Sequence, residues 1–219
     1  MNSLYNFVSG PLAWAAFIIF IVGSLYRLVS LLTLVHKKEK FIYTYMSWKY
    51  SFRSIVHWII PFGTTNWRNH PALTIVTFAF HLCLILTPIF LLAHVILWDE
   101  AFGVSWWSLP DGMAILMTLI VIGGCVFFLI RRLVSPEVQY VTSASDYVIL
   151  AIAAAPFITG FMAYYQWFGY QFFTILHILS GEVMLIAIPF TRLSHMLFAP
   201  LTRAYMGSEF GGVRQARDW

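Results

Sequence analysis

Seven histidines punctuate an otherwise apolar chain: His36, His57, His70, His81, His94, His177 and His195. Four of them fall inside long hydrophobic runs, where an ionisable group is costly and usually functional. His177 and His195 lie 18 residues apart in one run. At about 100° per residue that spacing closes five turns, so both rings are expected on one helix face, with a rise of about 27 Å. The hydrocarbon core of a bilayer is about 30 Å thick, which puts one ring near each surface. His81 and His94 lie 13 residues apart in a second run, a rise of about 19.5 Å. With the two runs antiparallel, His81 matches His195 in depth and His94 matches His177. Two imidazoles facing across a helical bundle make bis-histidine ligation of a haem iron, which needs an apolar cleft and no covalent attachment. The expectation is two haems b, one on His81 and His195, the other on His94 and His177. The plainer reading of each histidine is a hydrogen bond to a neighbouring helix.

One check opposes the second pair. Thirteen steps leave His81 and His94 about 140° apart on an ideal helix. Pro88 lies between them, and a kink there can turn the later half. His70 is the rival ligand, only about 20° from His81 in helical phase. It sits between Arg68-Asn69 and Pro71, at the mouth of the helix, so His94 is preferred. His36 and His57 fall in a polar loop. Glu182 is a carboxylate inside an apolar run, about 7.5 Å of rise from His177. It is expected to accept or relay a proton, which the resemblance described below would place at a quinone site, against the simpler role of a hydrogen bond between helices. Arg192 precedes His195 by three residues, shares its face, and is placed to pair a haem propionate or to anchor the helix end.

The elements that must position these groups are membrane spans. Of 219 residues 60% are hydrophobic and 10% charged, with mean hydropathy +0.79. Soluble domains carry about a quarter charged residues. Continuous apolar runs, rather than alternating ones, exclude a transmembrane barrel. The fold class is all-α: a polytopic membrane protein, a five-span transmembrane helical bundle, read as one domain over 1–219. Spans are expected at about 8–33, 71–98, 110–131, 146–167 and 171–198. No basic stretch precedes the first span, which is expected to stay as an anchor. Every one of the 13 Lys and Arg falls on one side of this topology, from Arg27 to Arg217, and the other side carries Asp99, Glu100 and Asp111. The positive-inside rule then puts the N-terminus out and the C-terminus in the cytoplasm. The net charge of +4 accordingly reports orientation and contact with membrane lipids, with no nucleic acid as partner. The segment 36–70 mixes aromatics with Lys49 and Arg53 and reads as a helix at the cytoplasmic interface, or as a docking surface for a soluble partner. Cys83 and Cys125 lie in apolar runs as small buried side chains. There is no C-x-x-C-H for covalent haem and there are too few thiols for an iron–sulfur cluster.

Several stretches resemble a known family. Arg131-Arg132-Leu133-x-Ser135-Pro136-x-Val138, with the later Asp146 leading into Ile149-Leu150, resembles the loop between the third and fourth spans of the respiratory nitrate reductase gamma subunit. Leu176-His177, Gly181 and Pro189-Phe190-x-Arg192-Leu193-x-His195, followed by Pro200, resemble that family's fifth helix with its two haem ligands. Phe80-His81 resembles the first ligand on its second helix. The family's second ligand there comes three residues sooner than His94, and its lysine near the outer quinol site has no counterpart. The loop from Trp48 to His70 looks more like the cytochrome b subunits of multihaem-cytochrome transmembrane redox complexes of sulfate-reducing bacteria. The resemblance implies an electron-transfer subunit of a quinol-linked oxidoreductase in a bacterial inner membrane. It would carry electrons between a quinone pool, expected to be menaquinone, and an iron–sulfur subunit on the cytoplasmic face. The implied partners extend to other membrane subunits and a periplasmic multihaem cytochrome. Two other classes stay open: a structural anchor with few or no haems, and a transporter using the histidines and Glu182 as a proton relay.

Overall fold

The computed structural model describes residues 3–167 and 169–216, so Arg217 lies outside the described residues. Every regular element among them is helical. Five helices are long and apolar enough to cross a membrane: Ser3–Lys38, Pro71–Phe90, Asp111–Val134, Ala144–Tyr164 and Tyr170–Phe190. The protein is a multi-pass helical membrane protein, as its composition dictates: in lipid each backbone polar group must be satisfied within its own segment.

The first span contains α1 (Ala13–Lys38), which ends on His36 and then Lys37 and Lys38, cations favoured by the helix dipole. A short helix, α2 (Trp48–Ile59), follows. The second apolar run is two helices, α3 (Pro71–Phe90) and α4 (Leu92–Phe102), parted at Leu91, whose backbone is extended with ψ 129°. The expected single span over 71–98 is thereby corrected. Next come α5 (Asp111–Val134) and α6 (Ala144–Tyr164). Ser143 and Asp146 form a reciprocal capping box at the start of α6, and Arg132 lies 3.7 Å from the Asp146 carboxylate. That is the local task of the charged residues around this loop. The last span is α7 (Tyr170–Phe190), followed by α8 (His195–Met206). The expected continuation of α7 to residue 198 fails at Thr191. Its backbone is extended, its hydroxyl donates to the Ala187 carbonyl, and the same oxygen accepts from Leu193 N–H.

The chain divides into two compact units, Met1–Ser9 with Val76–Met184, and Gly10–Ile75 with Leu185–Trp219. In the first, Phe80, Cys83, Met117, Val121, Cys125, Ala154 and Phe157 form the core. Lipid tails are as apolar as leucine, so close packing, not water exclusion, holds such helices together. In the second unit, α2 packs against α8 and the π-helical segment Gly207–Val213 along a seam of small polar groups. The Ser51 hydroxyl donates to the Ala204 carbonyl at 3.0 Å and lies 2.9 Å from the Ser208 hydroxyl. Arg203 donates to the Ser54 hydroxyl and lies over the Trp58 ring. A Cβ at Gly207 would fall 2.5 Å from both the Ser54 side chain and the Tyr50 carbonyl, so glycine permits this backbone contact. α2 therefore buries its serines and exposes Trp48 (92% exposed), Phe52 and Ile59, beside Lys49 and Arg53.

A candidate two-histidine centre

The break at Leu91 builds the first half of the centre. An α-helix end leaves its last carbonyls without N–H partners. Here three successive ones are taken from elsewhere. The Phe90 carbonyl accepts from Leu109 N–H, the Ile89 carbonyl from the Trp106 indole at 2.9 Å, and the Pro88 carbonyl from the His94 ring at 2.8 Å. After the break α4 restarts, with His94 in its first turn. The turn needed to bring His94 round is thus made at Leu91, three residues beyond Pro88, which remains inside α3.

The second half comes from two helices. His177 on α7 donates its Nδ1–H to the Pro156 carbonyl of α6 at 2.8 Å. One turn further along α6 is Gly160. A Cβ there would lie 2.9 Å from His177 Cε1 and 3.0 Å from its Nδ1. The same level is pinned by the Thr159 and Ser180 hydroxyls, 3.1 Å apart, with Ser180 also donating to the His177 carbonyl.

These supports bring the two rings together. The His94 and His177 centroids are 5.9 Å apart, with the planes inclined by only 16°. A carbonyl oxygen can only accept, so each Nδ1 bonded to one carries the proton. In the neutral ring that leaves Nε2 as the basic nitrogen, the form in which histidine ligates a metal. Two metal–nitrogen bonds of about 2 Å and two ring radii of about 1 Å would put the centroids of two imidazoles sharing one metal about 6 Å apart. The 5.9 Å separation of these two stacked rings is close to that figure. The arrangement can hold a metal between two imidazoles or tie α4, α6 and α7 together.

The remaining expected residues fall as follows. His81 lies on α3, half-buried, with Nδ1–H donated to the Thr77 carbonyl of the preceding turn at 2.8 Å and its ring edge-on to Phe80. His195 opens α8 and donates Nδ1–H to the Arg192 carbonyl at 2.8 Å. The two belong to different units. His177 and His195 do not share an uninterrupted helix, so the five-turn phase argument is corrected: Thr191 interrupts it by bonding to both sides of itself. Arg192 is exposed, and its link to His195 runs through its backbone. His70 is exposed beyond the short helix Thr65–Asn69, where its carbonyl accepts the Thr74 hydroxyl and N–H. Glu182 is 6% exposed, and its Oε1 has no hydrogen-bond partner among the described residues.

Sequence reading missed Pro156 and Gly160 as parts of the site. Their three-residue gap, Pro156-x-x-Thr159-Gly160, was the available signal: a small residue one turn past a proline lets a neighbouring helix approach closely. No protein-family model matches the chain. Over 211 residues it is 35% identical to a protein of Nitratidesulfovibrio vulgaris whose description states no function, covering 94% of this chain and 93% of that one. On that identity and coverage, the chain belongs to the same family as this Nitratidesulfovibrio vulgaris protein.

Proposed function

We propose that the chain is a dihaem cytochrome b subunit that carries electrons across a bacterial inner membrane, between a quinone pool and an iron–sulfur partner. One observation carries the reading: two imidazoles, each fixed through Nδ1, held near-parallel 5.9 Å apart within an apolar bundle. The residues fit a b-type haem, since the donor set is a pair of anchored imidazoles and the surroundings are membrane helices. His94 and His177 would hold one iron. His81 and His195 are assigned the other because the stretches around them resemble the ligand-bearing helices of the nitrate reductase gamma subunit, and each has its Nδ1 already bonded to a carbonyl. When bound, the haems supply one-electron chemistry between partners that they do not contact chemically.

The protein's own groups do the rest. The carbonyls of Pro88 and Pro156 fix the tautomer and orientation of the rings. Glu182 is buried with an oxygen unpaired among the described residues, which suits a carboxyl that takes a proton from quinol or returns one to quinone. The quinone is proposed to be menaquinone. Arg192 is placed to pair a haem propionate. With the N-terminus outside, the basic loop carrying Lys49 and Arg53 faces the cytoplasm, and the outward aromatics of α2 offer an iron–sulfur subunit an apolar surface with a cationic border. Resemblance extends the proposed assembly to the nitrate reductase gamma superfamily, with other membrane subunits and a periplasmic multihaem cytochrome.

A second reading is favoured by one bond: His177 to Pro156 ties helix to helix, as an anchor subunit without haem would need. A reduced-minus-oxidised spectrum of the purified chain separates the two. b-type bands at two haems per chain are expected, and their absence ends the main reading. Glu182→Gln is expected to slow haem reduction by a menaquinol analogue while leaving the bands intact; unchanged kinetics would remove Glu182 from the mechanism.

A further inference from the structure

This inference rests on the assignment of His94 and His177 as an axial pair. We propose that Gly160 is a positioning residue, whose missing side chain lets the His177 ring lie against α6 and so sets the two axial planes nearly parallel. Three observations converge on it. The His177 ring reaches the Pro156 carbonyl of α6, 2.8 Å from Nδ1. It does so directly over Gly160, where a Cβ would sit 2.9 Å from Cε1 and 3.0 Å from Nδ1, both on the ring itself. Real Cβ atoms essentially never come within 3.0 Å of another atom, and the obstacle is a planar ring held at two ends, not a flexible tip. The level at which α6 meets α7 is also fixed, because Thr159 and Ser180 bond across it at 3.1 Å. Neither helix can slide to make room without breaking that bond. The ring must therefore turn about its Cβ–Cγ bond or leave the Pro156 carbonyl. Either movement changes the 16° angle to His94. Gly123 and Gly181 are internal controls, since a Cβ at either meets nothing within 4 Å, and Gly181 lies on α7 one turn from His177.

The angle between axial imidazole planes is read in ferric low-spin haem by electron paramagnetic resonance. Near-parallel planes give a rhombic signal, and crossed planes give a highly anisotropic one. For the detergent-solubilised wild type, the haem lost in His177→Ala is expected to show the rhombic signal. In Gly160→Ala that signal is expected to move toward the anisotropic form, with affinity for this haem falling about tenfold or more, as when a supporting group of a metal ligand is disturbed. Gly181→Ala and Gly123→Ala are expected to keep the wild-type signal and haem content. A Gly160→Ala protein with the wild-type signal and haem content overturns the proposal while leaving the axial pair standing. If His177→Ala loses no haem, the axial assignment itself fails and the proposal falls with it. Should Gly160→Ala fail to fold and lose both haems, the wild-type signal alone decides: rhombic supports the proposal and highly anisotropic overturns it.

Discussion

Four histidine rings are held by backbone carbonyls through Nδ1, in two different ways. His81 uses the Thr77 carbonyl one turn back on its own helix, and His195 uses the Arg192 carbonyl three residues back. Both supports are local in sequence and arrive with the helix. His94 and His177 use carbonyls that no local rule supplies. The Pro88 carbonyl, six residues from His94, is open because the helix breaks at Leu91, and the Pro156 carbonyl, 21 residues from His177, lies on another span. The Nδ1 supports of His81 and His195 need only the preceding turn of chain. The remotely held rings need a break, a glycine and a neighbouring helix at the right level. A ring held by its own helix tolerates change around it, whereas one held from afar should register every change in its supports.

The largest expected effects come from removing the rings. His94→Ala and His177→Ala are each expected to lose the same haem, and His81→Ala and His195→Ala the other, by haem-per-chain assay; His70→Ala keeps both. Loss of a haem in His70→Ala with none lost in His94→Ala would break the comparison at its root. Next in size is the support at the helix break. Trp106→Phe removes the donor to the Ile89 carbonyl and is expected to cost about 0.5–1.5 kcal/mol. Thermal unfolding should register it, and of the two haems the one on His94 should weaken. A smaller loss is expected from Ser180→Ala, which removes the α6–α7 hydroxyl pair, a membrane hydrogen bond of about 0.6 kcal/mol. Its mark should be confined to the His177 haem spectrum. Least of all is Thr77→Val. The acceptor for His81 is a backbone carbonyl, which this substitution keeps, so haem content and potential are expected to match wild type. A clear shift in Thr77→Val would show that the local support is less independent than its geometry implies.

Much of the architecture was legible from residue order. Runs of apolar residues marked all five spans, and the third and fourth begin and end within three residues of expectation. Long apolar runs in a chain with 10% charge have one stable backbone solution in lipid, the helix. Two interruptions were not legible as such. Pro88 marks the second run and Pro189 lies within the fifth, but the chain breaks at Leu91 and Thr191, further along. A proline removes one N–H and can still be carried inside a membrane helix. Where the helix finally gives way depends on which distant groups can take the freed carbonyls. At Leu91 those groups are the Trp106 indole, Leu109 N–H and the His94 ring, none of them visible in a window around the proline.

The sequence by itself determined the class, the number of spans, the candidate histidines and the buried Glu182. These follow from hydropathy and from the cost of an ionisable group in hydrocarbon, both properties of a residue and its near neighbours. Only the tertiary structure decided that His94 meets His177, which proton each ring carries, and why α6 needs a glycine at 160. Those are contacts over separations of 6 to 83 residues. They are fixed by where helices break and how closely they approach, which helical periodicity alone does not encode.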